Sequence, residues 1–289
     1  MTKGLFVIRH MAKHELEVAV DWAAAEGWNP GLYDANCFWA CDPQGFLIGI
    51  KDGKPVGCIS AVRYEADYGF IGFYIVKSEW RGQGYGLQLW QSAMKQLSGR
   101  VVGLDGVVAQ LNNYQESGFQ LAYRNIRYSG QFSGSLTDDI AELRPDLTII
   151  PVCQINHDEL AAYDSTLFFT ARPNFLSCWL TQSGATALAA VSKEQLSGYG
   201  VIRQCRSGFK IGPLFAEDAD TAEKLLLSLA DCAHGEQIFL DVPEVNEAAV
   251  ALADKYKMTK TFETARMYNK TAPMLALKKV FGVTTFELG

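Results

Sequence analysis

The segment Arg81-Gly82-Gln83-Gly84-Tyr85-Gly86 constrains this chain more than any other. It stands between an apolar run, Phe70-Ile71-Gly72-Phe73-Tyr74-Ile75-Val76, and a stretch where Leu89, Trp90, Ala93, Met94 and Leu97 recur at helical spacing. A strand that feeds a glycine-rich turn and then a helix aims free backbone N–H groups, with the positive end of the helix dipole, at one small volume. Gly82, Gly84 and Gly86 let the turn take positive φ and let an oxygen approach the amides closely, and Arg81 adds a permanent cation. An anion is expected there.

Two better-known glycine loops fail on spacing. A dinucleotide fingerprint needs glycine where Leu87 stands, and a nucleoside-triphosphate loop needs a Gly-Lys-Ser/Thr ending that this segment lacks. The segment resembles instead the pyrophosphate-binding motif of the GNAT superfamily of acyl-CoA N-acyltransferases, Arg/Gln-x-x-Gly-x-Gly/Ala, with Arg81, Gly84 and Gly86 in the matching places. The flanks extend the likeness. Tyr74-Ile75-Val76 followed by Lys77 to Trp80 resembles the strand end that precedes the motif, Val101 to Leu104 the next strand, and Tyr114-Gln115-Glu116-Ser117-Gly118-Phe119 the Tyr-x-x-x-Gly-Phe signature.

The resemblance covers residues 1–128 and implies an acetyl-CoA-binding N-acetyltransferase domain of α/β (α+β mixed sheet) type. In that fold two parallel strands splay apart. Backbone at Tyr74, Ile75 and Val76 would then hold the pantetheine and thioester, and the amides of Gly82, Gln83, Gly84, Tyr85, Gly86 and Leu87 the pyrophosphate. Tyr114 is the candidate donor to the departing thiolate, since a tyrosine pKa of about 10 exceeds a thiol's of about 8.5. For the general base, Glu65 leads among carboxylates near the motif strand, with Asp67 and Glu79 beside it; a water chain would also serve. Asp241 is a candidate contact for a cationic substrate, and Trp22, Trp28, Phe38 and Trp39 are candidates for an acceptor wall or for core.

A second half parallels the first. After a linker expected at residues 129–147, with room for one short helix, a strand begins at Leu147; a hairpin follows over 185–203, then a strand at 209–216, a helix bearing Ala222, Leu225, Leu226 and Leu229, and a strand at 238–242. Residues 148–289 resemble a degenerate GNAT-like domain that shapes the acceptor site. Glu217, Asp218 and Asp220 stand where a pyrophosphate needs amides and cations, and Ala253 takes the place of Tyr114.

Composition narrows the partners. A formal charge of −6 without clustered Lys and Arg argues against nucleic acid, and is compatible with an amine substrate. Seven cysteines without paired spacing suit reduced thiols; no histidine pair completes a metal set around Cys37 and Cys41, so no metal is expected. No long apolar run points to a membrane, and Leu5 to Arg9 continues a first strand from Thr2 rather than a leader, so a cytoplasmic location is expected. The expected function is direct acetyl transfer from acetyl-CoA, as co-substrate, to a primary amine on a small molecule, by a monomer or homodimer. A non-catalytic acyl-CoA sensor is the competing expectation.

Overall fold

In the computed structural model, which describes residues 5–65, 67–132, 136, 140 and 142–289, the apolar alternations become strands of a single mixed sheet. The first half supplies β1 (Phe6–His10), β2 (Phe46–Lys51), β3 (Lys54–Tyr64), β4 (Tyr68–Val76), β5 (Val101–Val107) and β6 (Gln120–Gln131). The second supplies β7 (Leu147–Pro151), β8 (Ala185–Ser192), β9 (Gln195–Gln204), β10 (Phe209–Ala216), β11 (Gln237–Pro243), β12 (Thr259–Tyr268) and β13 (Val280–Gly282). Helices α1 (Leu16–Ala25), α2 (Asp34–Cys41), α3 (Tyr85–Gln96) and α4 (Leu111–Glu116) connect strands of the first half. Helices α5 (His157–Phe168), α6 (Pro173–Thr181), α7 (Ala219–Asp231) and α8 (Glu247–Lys255) repeat that order. Local chemistry starts several of them: the side chains of Asn156, Asp218 and Asn246 accept first-turn N–H groups of α5, α7 and α8, and Pro173 opens α6.

The strand order is β1-β2-β3-β4-β5-β12-β6-β11-β10-β9-β8-β7. Each half therefore lends its last long strand to the other. β12 lies between β5 and β6, and β6 lies between β12 and β11. Residue 128, the expected end of a first domain, is consequently inside β6, where Tyr128 opposes Leu240. Residues 129–131 of the expected linker continue that strand, whereas 133–135, 137–139 and 141 lie outside the described residues, as do 1–4. Two GNAT-like folds are present, but they are interlocked rather than strung in line.

Packing follows from the alternation. α1, α2, α5 and α6 share one core with Phe38, Phe73, Trp179 and Tyr199; α3 and α4 cover the opposite face of the first half through Leu89, Trp90 and Tyr114; α7 and α8 do so in the second through Leu225, Leu229 and Leu252. Each such side chain contributes roughly 1.5–3 kcal/mol on burial. Where α2 meets α6, Phe38 stacks on Trp179 at 6.1 Å and the thiols of Cys37 and Cys178 lie 2.7 Å apart. Buried ion pairs cross between the halves, Arg127 with Asp241 at 2.6 Å, Arg203 with Asp34 at 2.9 Å and Arg266 with Asp105 at 2.6 Å. Among the described residues no helix is long and apolar enough to span a membrane, and no cluster of His, Cys, Asp or Glu is arranged to hold a metal.

Candidate active site

β4 and β5 pair in parallel only from Tyr68 opposite Val101 to Ile71 opposite Leu104. Beyond that, β4 stays with β3 and β5 with β12, so a gap opens between Gly72–Val76 and Asp105–Val107. A bulge starts the divergence. Between the pairs Cys58 with Ile75 and Ser60 with Gly72, β3 has one residue where β4 has two. Phe73 takes φ 45°, a left-handed conformation that costs a non-glycine residue about 1–2 kcal/mol, and its ring is held by Phe38 and Phe46.

A cleft of about 760 Å³ runs through this gap. On the α3 side it meets the glycine turn, where Gly82 and Gly84 have φ of 74° and 82°. A Cβ at either glycine would touch nothing within 4 Å, and no side chain caps the start of α3, so the space in front of these amides is open. Gly86 is needed for a different reason, since a Cβ there would approach the Tyr74 hydroxyl to 3.0 Å. Arg81 donates from Nε to the Val76 carbonyl at 2.7 Å and its guanidinium pairs with Glu26. Tyr114, on α4, lies over Gly106, where a Cβ would fall 2.3 Å from the tyrosine ring. Its ring is 5.7 Å from that of Trp90, which in turn is 5.6 Å from that of Tyr74. Burial, reinforced by the neighbouring Tyr74, pushes the Tyr114 phenol above its ordinary pKa. The arrangement offers a slot for an extended acyl chain, free amides for an anion and a protonated phenol between them.

Residues 11–119 match the family model described as the acetyltransferase (GNAT) family, and residues 160–282 match a second described as an acetyltransferase (GNAT) domain. Over 278 residues the chain is 30% identical to the holothin acyltransferase of Pseudoalteromonas sp. (strain SANK 73390), covering 95% of this chain and 92% of that one. It belongs to the GNAT superfamily of acyltransferases. Solved structures agree on the fold. A Pyrococcus horikoshii protein described as a candidate acetyltransferase superposes with a TM-score of 0.79 at 20% identity, over 100% of this chain and 97% of its own. A tandem GNAT protein from the clavulanic acid biosynthesis pathway gives 0.65 at 14%, over 93% and 100%.

The second GNAT fold has the same divergence and a different outcome. β10 and β11 pair from Phe209 opposite Ile238 to Ile211 opposite Leu240, then part. Here the gap is filled by β13, which places Gly282 opposite Leu214 and Val280 opposite Phe215, while the Val283 amide donates to the Asp241 main-chain carbonyl at 2.8 Å. The tail continues into the first fold: the Glu287 carbonyl lies 2.0 Å from where a Cβ on Gly72 would stand, and Tyr64 donates to the Leu288 carbonyl at 2.8 Å. At the start of α7 the Asp218 carboxylate accepts from the Thr221 amide at 2.8 Å. Ala253 is buried, with no polar group to offer.

Among the residues expected from the sequence, Tyr74, Ile75, Val76, Arg81, Gly82, Gly84, Gly86, Leu87 and Tyr114 all line this cleft. Gln83 and Tyr85 belong to the turn, but their side chains face elsewhere: Gln83 donates to the Glu79 carbonyl at 3.1 Å and Tyr85 packs on Phe6 at 4.6 Å. Glu65 is not in the site. It occupies the exposed turn before β4, whereas the gap opens only from Gly72, seven residues on and roughly 23 Å away at about 3.3 Å per residue. Asp67 shares that turn, Glu79 pairs on the surface with Lys77 at 3.0 Å, and Asp241 is spent on Arg127. Of the aromatics Trp28 reaches the cleft, whereas Phe38 is core and Trp22 and Trp39 pack against it.

Sequence reasoning missed Glu26, Asp105, Phe262, Thr264 and Phe286, which also line the cleft. Asp105 had a readable signal, a lone carboxylate in the apolar run Val101–Val107; both its oxygens are held by Arg266, at 2.8 and 2.6 Å, and one also accepts from Asn125 at 2.8 Å. Phe262, Thr264 and Phe286 arrive only through strand exchange and the tail.

Proposed function

We propose that this GNAT acyltransferase moves an acetyl group from acetyl-CoA to a primary amine on a small molecule, by direct attack with both substrates bound. The observation that carries the reading is the through-sheet cleft, which joins uncapped amides at the start of α3 to the unpaired edge of β4. Amides of the turn from Gly82 to Leu87 would hold the pyrophosphate, and main chain at Tyr74, Ile75 and Val76 the pantetheine. The amine nitrogen attacks the thioester carbonyl carbon, the C–S bond breaks, and Tyr114 gives its proton to the sulfur. The proton shed by the new amide nitrogen leaves through water and restores the phenol. The relative named as a holothin acyltransferase supports transfer to a small molecule rather than to a protein.

The test is thiol release from acetyl-CoA across an amine panel, with calorimetry of acetyl-CoA binding alongside. Release that falls sharply in Tyr114→Phe while binding persists is the expected result. Binding without release by any amine would replace the enzyme reading by that of a sensor.

A further inference from the structure

The acceptor end of the cleft lies on the face of the sheet that carries α1, and its walls are aromatic: Trp28, Phe262 and Phe286, with Thr264 and Asp105 between them. Two carboxylates line this end, and both are committed. Asp105 is clamped by the Arg266 fork and Asn125, and Glu26 is paired with Arg81. The third carboxylate of the cleft, Glu116, stands on α4, which covers the opposite face. The aromatic walls are committed too. The Arg127 guanidinium lies 5.6 Å from the centre of Phe262 and 4.9 Å from that of Phe286, so one face of each ring already holds a cation, which repels a second cation at the other face and leaves that face to an uncharged ring. Arg127 also donates to the Trp28 carbonyl at 2.7 Å, which fixes that wall in place.

Such a pocket offers flat apolar faces and no free counter-charge for an ammonium. An alkyl amine with a pKa near the lysine value of about 10.4 is neutral in only about one molecule in 2,500 at pH 7, and needs both a counter-ion and a base. A ring-conjugated amine is neutral already and stacks on Trp28 or Phe286. Resting on the acetyl-transfer reading above, we propose that the acceptor is a flat aryl- or heteroaryl-amine, uncharged at neutral pH, seated between the walls lent by the second half and the tail.

Matched acceptors test this with the full chain and acetyl-CoA: aniline, 3-aminopyridine and 2-aminothiazole against benzylamine, 3-(aminomethyl)pyridine and tyramine, read by thiol release. The ring amines are expected to show kcat/KM at least about tenfold higher. In Phe286→Ala the KM for the ring amine is expected to rise about tenfold with the KM for acetyl-CoA unchanged; if that variant fails to fold, Phe286→Leu keeps the bulk, removes the ring and carries the same expectation. Equal or faster turnover of the alkyl amines overturns this inference and leaves acetyl transfer standing. No release with any acceptor overturns both.

Discussion

The strand pairs β4/β5 and β10/β11 begin alike and end differently. Each holds a short parallel register and then parts beside a break in its partner ladder, between Ser60 and Cys58 in one and between Ile211 and Leu214 in the other. In the first pair the space stays open and faces uncapped amides; in the second, β13 takes it and Asp218 takes the helix start. Backbone groups in a parted pair still need partners. The chain supplies its own at one slot, and at the other leaves the slot open, where the proposed cofactor would supply them. The second slot is thus closed by a substitution of partners, β13 and the Asp218 carboxylate standing where the first slot is open.

The largest expected effect tests the plug. Phe281 on β13 is buried in the second core, and Phe281→Ala should cost about 3–5 kcal/mol of unfolding free energy by denaturant titration, without creating a second CoA site. A gain in CoA stoichiometry would break the comparison. Next is Tyr114→Phe, expected to lower kcat about a hundredfold, ~2.7 kcal/mol, with acetyl-CoA affinity unchanged. Because burial holds this phenol above its usual value of about 10, the wild-type rate should show no tyrosine-linked fall between about pH 7 and 10; such a fall would remove Tyr114 from the proton path. Gly84→Asp puts a carboxylate at a left-handed position facing the anion site, and should weaken CoA binding about thirtyfold, ~2 kcal/mol, by calorimetry. Unchanged affinity would mean that the turn binds nothing. The smallest is Asp218→Ala, which should cost about 1 kcal/mol of stability as a lost cap and leave CoA stoichiometry at one.

Much of the first slot was legible because its signals are local. Turn, strand end and helix face around Arg81–Gly86 lie within one stretch of sequence, and Tyr114 follows at the next helix. The carboxylates at the start of α7 could be read as hostile to an anion for the same reason. Glu65 was misplaced because closeness in sequence to β4 says nothing about which end of the strand opens. Phe262, Thr264 and Phe286 carry no local mark at all. Phe262 and Thr264 depend on β12 entering between β5 and β6, a pairing set by the whole sheet, and Phe286 on the path of the tail after β13. Asp105 lies between these cases: its oddity in an apolar strand was visible, its clamp by Arg266 was not.

The exchange of β6 and β12 has a consequence for how the molecule is made. While the ribosome is still synthesising the second half, β5 has no neighbour on one side and presents a bare row of amides and carbonyls, the kind of edge that recruits stray strands. Severing the polypeptide between β6 and β7 would therefore yield two fragments with mutually dependent edges, which regain order by finding each other.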